Sequence, residues 1–272
     1  VTNTDLDQFQ HQVWQYYDQH GRQGLPWRVP EPDGSFDPYK IMVSELMLQQ
    51  TQVNRVIPKY LSFIEQFSMV QILAAATLGD VLVAWQGLGY NRRAKFLWQA
   101  AQIVAGEYGG KFPRDQKELT RLPGIGVNTA GAIVAYAYNE PAVFLETNVR
   151  TVYIHHFFDD KTGVADKDIA ELLRQTLPSG PRQWYWALMD YGTYIKQTHG
   201  NKSRASKTYA KQSPFQGSKR QVRGAVIRYL SQRPATQEQM RMAEPDARLP
   251  EVINDLLKEG MVREEQGYYR LA

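Results

Sequence analysis

The chain has 272 residues, no cysteine, a formal net charge of +4 and a pI of about 9.1. The missing cysteines exclude disulfides, thiolate zinc sites and cysteine-held iron–sulfur clusters. A 43% hydrophobic, 12% aromatic composition argues against wholesale disorder, and no apolar run reaches the roughly 18–20 residues needed to span a bilayer.

The N-terminus, VTNTDLDQFQHQVW, lacks a basic region followed by an apolar stretch, so no signal peptide is expected and the location is read as cytoplasmic, nucleoid-associated if bacterial. Leu6, Phe9, Val13, Trp14 and Tyr17 recur at helical spacing, predicting a first helix with Thr4 as its N-cap. A Gly/Pro-rich loop, GRQGLPWRVPEPDGSFDP, follows. Helical periodicity then covers about 39–50, 54–67, 70–75, 79–85, 91–107, 115–121 and 127–138, and resumes at 147–158, 166–176 and 182–197. No alternating strand interrupts these, so this part is predicted to be all-α.

Residues 199–217 read as a polar linker. No acid occurs from Tyr191 to Gln237, while ten lysines and arginines accumulate between Lys196 and Arg233. That run is either a solvated face or a track for a phosphate backbone. The tail carries two apolar stripes, Val222 to Tyr229 and Leu249 to Leu257, then MVREEQGYYRLA alternating around Gly267. Helices followed by a hairpin predict a small winged-helix-like module for DNA or a protein partner.

Two acids and a turn carry the chemistry. Glu45 is the lone carboxylate in the apolar stretch KIMVSELML. In LPGIG, Gly124 and Gly126 are free to take positive φ in a short connection after Leu122, and the amides opening the next helix, from Val127, suit an anion. Glu146 opens a further helix near Asn148.

The segments PWR, DPYKIMVSELMLQQTQV, WQGLGYNRRAKFL, LPGIGVNTAGAI and LETNVRTV, in this order, resemble the helix–hairpin–helix DNA glycosylases, and among them the MutY-type adenine glycosylases. The resemblance covers about residues 5 to 215. It implies an all-α fold with a six-helix barrel domain at 28–141 and a second helical domain from 1–27 and 142–215; 216–272 is then a separate winged-helix-like module. It further implies a monomer acting on double-stranded DNA that holds a mispaired or damaged base.

By resemblance Glu45 is the general acid that protonates the leaving purine. Glu146 stands where the family keeps aspartate, to stabilise the oxocarbenium-like sugar and hold the attacking water. Asn148 is a water or sugar contact. Trp27, Arg28, Leu48, Asn128 and Asp190 are placed around the base pocket. Gln49, Gln50 and Tyr90 are placed on DNA, the last two filling the gap left by a flipped base, and Leu122, Gly124, Gly126 and Val127 form the phosphate-binding hairpin. Strand-nicking relatives carry a lysine 18 residues before the catalytic acid; here that position is Asn128, so a hydrolytic, monofunctional reaction is expected.

The family's four cluster cysteines fall on Lys196, Ser203, Ser206 and Gln212, so no iron–sulfur cluster and no other cofactor is expected. A monovalent cation at the hairpin is the one ion the resemblance leaves room for. Adenine opposite guanine or 8-oxoguanine is the leading substrate. Thymine or uracil opposite guanine, a modified purine, and a non-catalytic DNA-binding role are the alternatives.

Overall fold

The computed structural model describes all 272 residues. Fourteen helices run in chain order: α1 (Asn3–His20), α2 (Pro38–Leu48), α3 (Val53–Gln66), α4 (Val70–Ala75), α5 (Leu78–Ala84), α6 (Arg92–Gly106), α7 (Gln116–Leu119), α8 (Val127–Ile133), α9 (Thr147–Phe157), α10 (Asp166–Thr176), α11 (Arg182–Thr198), α12 (Lys219–Leu230), α13 (Gln237–Ala243) and α14 (Leu249–Lys258). One hairpin closes the chain, β1 (Val262–Glu265) against β2 (Tyr268–Leu271). No helix is long and apolar enough to cross a membrane.

The chain divides into two compact units, Val1–Glu45 with Pro113–Arg121 and Ile125–Lys211, and Leu46–Phe112 with Leu122–Gly124 and Gln212–Ala272. This grouping differs from the three bodies expected from the sequence. Residues 28–45, 113–121 and 125–141 group with the N-terminus, and the tail groups with 46–112 and 122–124.

The first unit is built on α11, which is buried on nearly every side through Trp184, Tyr185, Trp186, Leu188, Tyr191 and Ile195. Helices α9 and α1 pack on it. Phe9 of α1 meets Tyr153, Phe157 and Trp184 edge-on or tilted, at centroid distances of 5.0–5.9 Å. The N-cap of α1 is Thr2 rather than Thr4: its hydroxyl accepts from the Asp5 amide while Asp5 accepts from the Thr2 amide, a capping box two residues earlier than the apolar stripe suggested.

Residues 127–138 form one helical stretch of two kinds. The α-helix gives way at Val134–Tyr138 to a π-turn that ends on left-handed Asn139. The expected polar linker is also partly ordered. Lys202–Ala205 form a 3-10 turn, and Ser206 bridges Val164 in parallel register.

In the second unit α4 and α5 pack on α6, whose buried face is Ala94, Leu97, Ala100, Ala101 and Val104. The tail is a three-helix, two-strand wing. It includes α13, a short helix that the apolar pattern did not show because only Met240 of it is buried. Ala235 pairs with Tyr269 to widen the hairpin. The last residue is anchored, since the Gly79 amide donates to the Ala272 carbonyl at 2.6 Å.

Candidate active site

Along α2, residues 41–47 are buried except Glu45, which keeps a partial opening to solvent. Met42, Leu46 and Met47, its neighbours along the helix, are fully buried. Burial pushes the Glu45 carboxyl up to about 8; the negative charge of Glu146 adds to the shift and Arg28 partly offsets it. A carboxyl so placed is largely protonated at neutral pH.

Arg28 is held by a buried clamp. Its guanidinium donates to both Asp190 oxygens at 2.8 and 3.0 Å, and Arg22 adds its backbone amide at 2.8 Å and its side chain at 2.6–2.8 Å. Burial pushes the Asp190 carboxyl up, but the hydrogen bonds and charge of the two arginines outweigh this and hold it below its usual value. Asp190, expected at the base pocket, thus has its oxygens engaged by arginines. Arg28 also lies 5.5 Å from the Trp186 ring centroid. Trp27, beside it in the 3-10 turn Pro26–Arg28, is buried.

Tyr136, which the sequence did not single out, belongs to the same neighbourhood. Its hydroxyl is pushed well above its ordinary pKa, first by burial and then by the charge of Glu45, and its ring stacks on Trp186 at 6.3 Å. The π-turn that aims it leaves no mark in hydrophobic periodicity.

Glu146 is exposed and occupies the N-cap of α9, with its own side chain accepting from the Thr147 amide at 3.0 Å. The extra methylene relative to aspartate lets the carboxylate turn back onto the nearest amide. Asn128 Oδ1 accepts from the Leu145 amide at 3.1 Å and so fixes the strand-like segment that delivers Glu146. Asn148, half-buried on the first turn of α9, receives a hydrogen bond from Lys196 Nζ at 2.5 Å. Burial lowers the pKa of Lys196, and the charge of Glu146 works against that shift. Lys196 is therefore an amine near both Asn148 and Glu146 that no spacing argument found.

Gly192 makes this arrangement fit. A Cβ there would lie 2.7 Å from the Asn148 carbonyl oxygen and 2.8 Å from its Cβ. Gly192→Ala is expected to push α9 away from α11, costing about 1–3 kcal/mol of stability and lowering single-turnover activity. Denaturant unfolding and rate measured together will show both losses; a variant as stable and as fast as the parent would mean that this close approach is not needed.

In the second unit a buried cation organises the expected DNA-contacting turns. Arg93 donates to the carbonyls of Leu46, Met47, Gln49, Leu88 and Gly89 and to the Thr51 hydroxyl, at 2.5–3.3 Å. It thereby ends α2 at Leu48, earlier than the predicted residue 50, and ties that end to the turn before α6. Gln50 (φ 55°) and Tyr90 (φ 49°) are both left-handed at these two turns, a strained geometry for residues with a side chain. Leu48 and Gln49 are half-buried and Gln50 is exposed.

At the hairpin only Gly124 is left-handed, at φ 76°, and a Cβ there would meet Phe96 Cβ at 2.7 Å. Gly126, expected to share that freedom, is instead the extended N-cap of α8, with nothing within 4 Å of where its Cβ would stand. Leu122 is buried and Val127 is 64% exposed. The hairpin thus combines an anchored entry with an open backbone at the helix start.

The positions aligned with cluster cysteines do not fit an iron–sulfur cluster. An amine, two hydroxyls and an amide replace four thiolates, and each has a polar partner. Lys196 holds Asn148, Ser203 holds Asn201, Ser206 reaches Asp166 and Thr208, and Gln212 donates to the Tyr90 hydroxyl. No group of three histidine, aspartate or glutamate side chains gathers as metal ligands would.

Residues 43–179 match the model of the HhH-GPD superfamily of base excision DNA repair proteins. An adenine DNA glycosylase of Mycolicibacterium smegmatis is 33% identical over 94% of both chains. One of Buchnera aphidicola (subsp. Baizongia pistaciae) is 35% identical over 69% of this chain, which spans 52% of that relative's length. A thermostable thymine-DNA glycosylase superposes with a TM-score of 0.63 at 23% identity, over 74% of this chain and 91% of that one. Endonuclease III in a non-covalent DNA complex superposes at 0.58 and 18% identity, over 79% and 91%. With a family match over half its length, and a relative matched almost end to end, the chain belongs to the HhH-GPD superfamily of base excision DNA repair proteins.

Proposed function

We propose that this protein is a monofunctional DNA glycosylase that hydrolyses the N-glycosidic bond of adenine opposite guanine or 8-oxoguanine. The observation that carries the reading is Glu45, a carboxyl that burial holds up to about 8, with Glu146 in electrostatic range. Two carboxyl groups whose surroundings differ this much divide the labour of acid and anion. Protonated Glu45 gives its proton to the departing purine, which leaves slowly as an anion. Glu146 carries negative charge beside the sugar as positive charge develops there, and water then completes the substitution. Asn148, oriented by Lys196, contacts the water or sugar. Arg28, fixed by Asp190, and Trp27, with Asn128, border the base.

DNA is the partner this chemistry requires. The hairpin from Leu122 to Val127 takes a phosphate on its open amides, a site where a monovalent cation would also fit, and Gln49, Gln50 and Tyr90 enter the duplex. The protein acts as a monomer without a cofactor. The names of the Mycolicibacterium relative, matched over 94% of both chains, and of the Buchnera relative favour adenine over thymine or uracil.

Abasic-site formation on duplexes carrying A·G, A·8-oxoguanine, T·G and U·G tests this directly. Adenine is expected to be released fastest, leaving intact strands that break only after alkali or heat. Borohydride is expected to trap no adduct in good yield, because residue 128 is asparagine and Lys196 is tied to Asn148. Efficient trapping at Lys196 would show a lyase instead.

A further inference from the structure

In the second unit a cavity of about 450 Å³ lies between the turn before α6 and the tail helix α12. Its wall includes Gln50 and Tyr90, the two left-handed residues that Arg93 holds, together with Arg55 from α3 and Arg220 and Arg228 from α12. No carboxylate lines it. The other basic residues of α12 are neutralised: Lys219 pairs with Glu251 and Asp255 at 2.6 Å, and Arg223 with Glu259 at 2.5 Å. The acids of the tail therefore compensate one face of α12 and leave the cavity face positive. Arg220 is pre-set there, its guanidinium 4.8 Å from the Tyr90 ring centroid, donating to the Tyr90 hydroxyl and to the Ser213 carbonyl.

We propose that this cavity docks the sugar–phosphate backbone of duplex DNA, so that the tail module is a second DNA-binding element beside the hairpin. The inference rests on the reading of the chain as a DNA glycosylase. Guanidinium groups on two separate elements, α3 and α12, with no carboxylate between them, suit a ligand with repeated negative charge. They share a wall with Gln50 and Tyr90, the residues read as entering the duplex, which favours DNA over an acidic protein. Phosphates sit on Arg55 and Arg228. Arg220 steadies Tyr90 at the edge of the same groove.

The test is binding of a labelled A·G duplex by the full chain between 50 and 200 mM salt. Arg55→Gln and Arg228→Gln are each expected to remove one phosphate contact. The slope of log K against log salt should then become shallower by about one, and affinity should fall roughly eightfold at 0.1 M salt. Arg228→Lys should retain much of the affinity. Arg241→Gln, an equally exposed charge on α13 away from the cavity lining, is the matched control and should change affinity less than twofold. All these side chains are exposed or partly exposed, and circular dichroism will verify the fold.

If the cavity variants behave like Arg241→Gln, the proposal is overturned and the arginines serve a protein partner instead. Adenine release from the same samples separates the two readings. Excision with no cavity effect removes only the docking site, whereas a cavity effect without excision of any base removes only the glycosylase reading.

Discussion

Glu45→Gln is expected to slow single-turnover base release by at least about a hundredfold, the usual scale of general acid catalysis, while duplex affinity stays close to the parent's. Glutamine keeps the size and hydrogen-bonding capacity of the acid but carries no proton to give. Glu45 is already uncharged at neutral pH, so the change alters no charge near DNA, and weak binding cannot account for a slow variant. Enzyme must be in excess, so that product release does not mask the chemical step.

Two pH dependences follow from the same carboxyl. Excision by the parent is expected to hold at neutral pH and fall as pH rises through about 8, where Glu45 loses its proton. Its pKa is raised from 4.5, so the folded state keeps a proton that the unfolded chain has released, and stability falls as pH rises across that window. Glu45→Gln removes this dependence. Its melting temperature relative to the parent should therefore climb with pH up to about 8, and a variant that is slow yet increasingly the more stable would show that the acid is kept at a cost to the fold. Excision by Glu45→Gln at the parental rate would end the assignment.

Asp190→Asn is expected to cost about 3–5 kcal/mol of stability, since it strips a buried guanidinium of its carboxylate. The side chains of Arg28 and Asp190 are 4% and 2% exposed, so little solvent screens the pair. The parental pair stabilises above the unfolded carboxylate range and weakens as pH falls, because Asp190 is held below its usual value. The gap between parent and variant should therefore close in acid. A second readout separates scaffold from site. With Asp190 neutral, the positive field of Arg28 at Glu45 is less compensated, so the alkaline limb of the excision rate should move to lower pH. A variant that is merely less stable, with the limb unmoved, would show that Asp190 supports the loop and not the acid.

Helical spacing was enough to read α1, α3 to α6, α9 and α10, because each buries a stripe against a neighbour, and α11, because its apolar run is long enough to be a helix buried on nearly every side. Ends were less legible. The close of α2 at Leu48 depends on Arg93, forty-odd residues away, taking the carbonyls that another turn of helix would have used. Likewise α13 buries one methionine and leaves no stripe to see.

For the site, the sequence by itself determined which acids were present, where the amide-rich turn and the glycine hairpin lay, and that no thiolate could hold a cluster. By its resemblance to strand-nicking relatives, it also placed an asparagine where they carry lysine. Only the tertiary structure decided what those groups can do. Glu45 keeps its proton at neutral pH because burial and the charge of Glu146 raise its pKa, and Arg28, which works against them, is held by an aspartate 162 residues away in the chain. Lys196, read as a vacated cluster position, becomes the partner of Asn148 across 48 residues. Desolvation and charge act through space, and a one-dimensional pattern records neither the distance nor the dielectric that sets them.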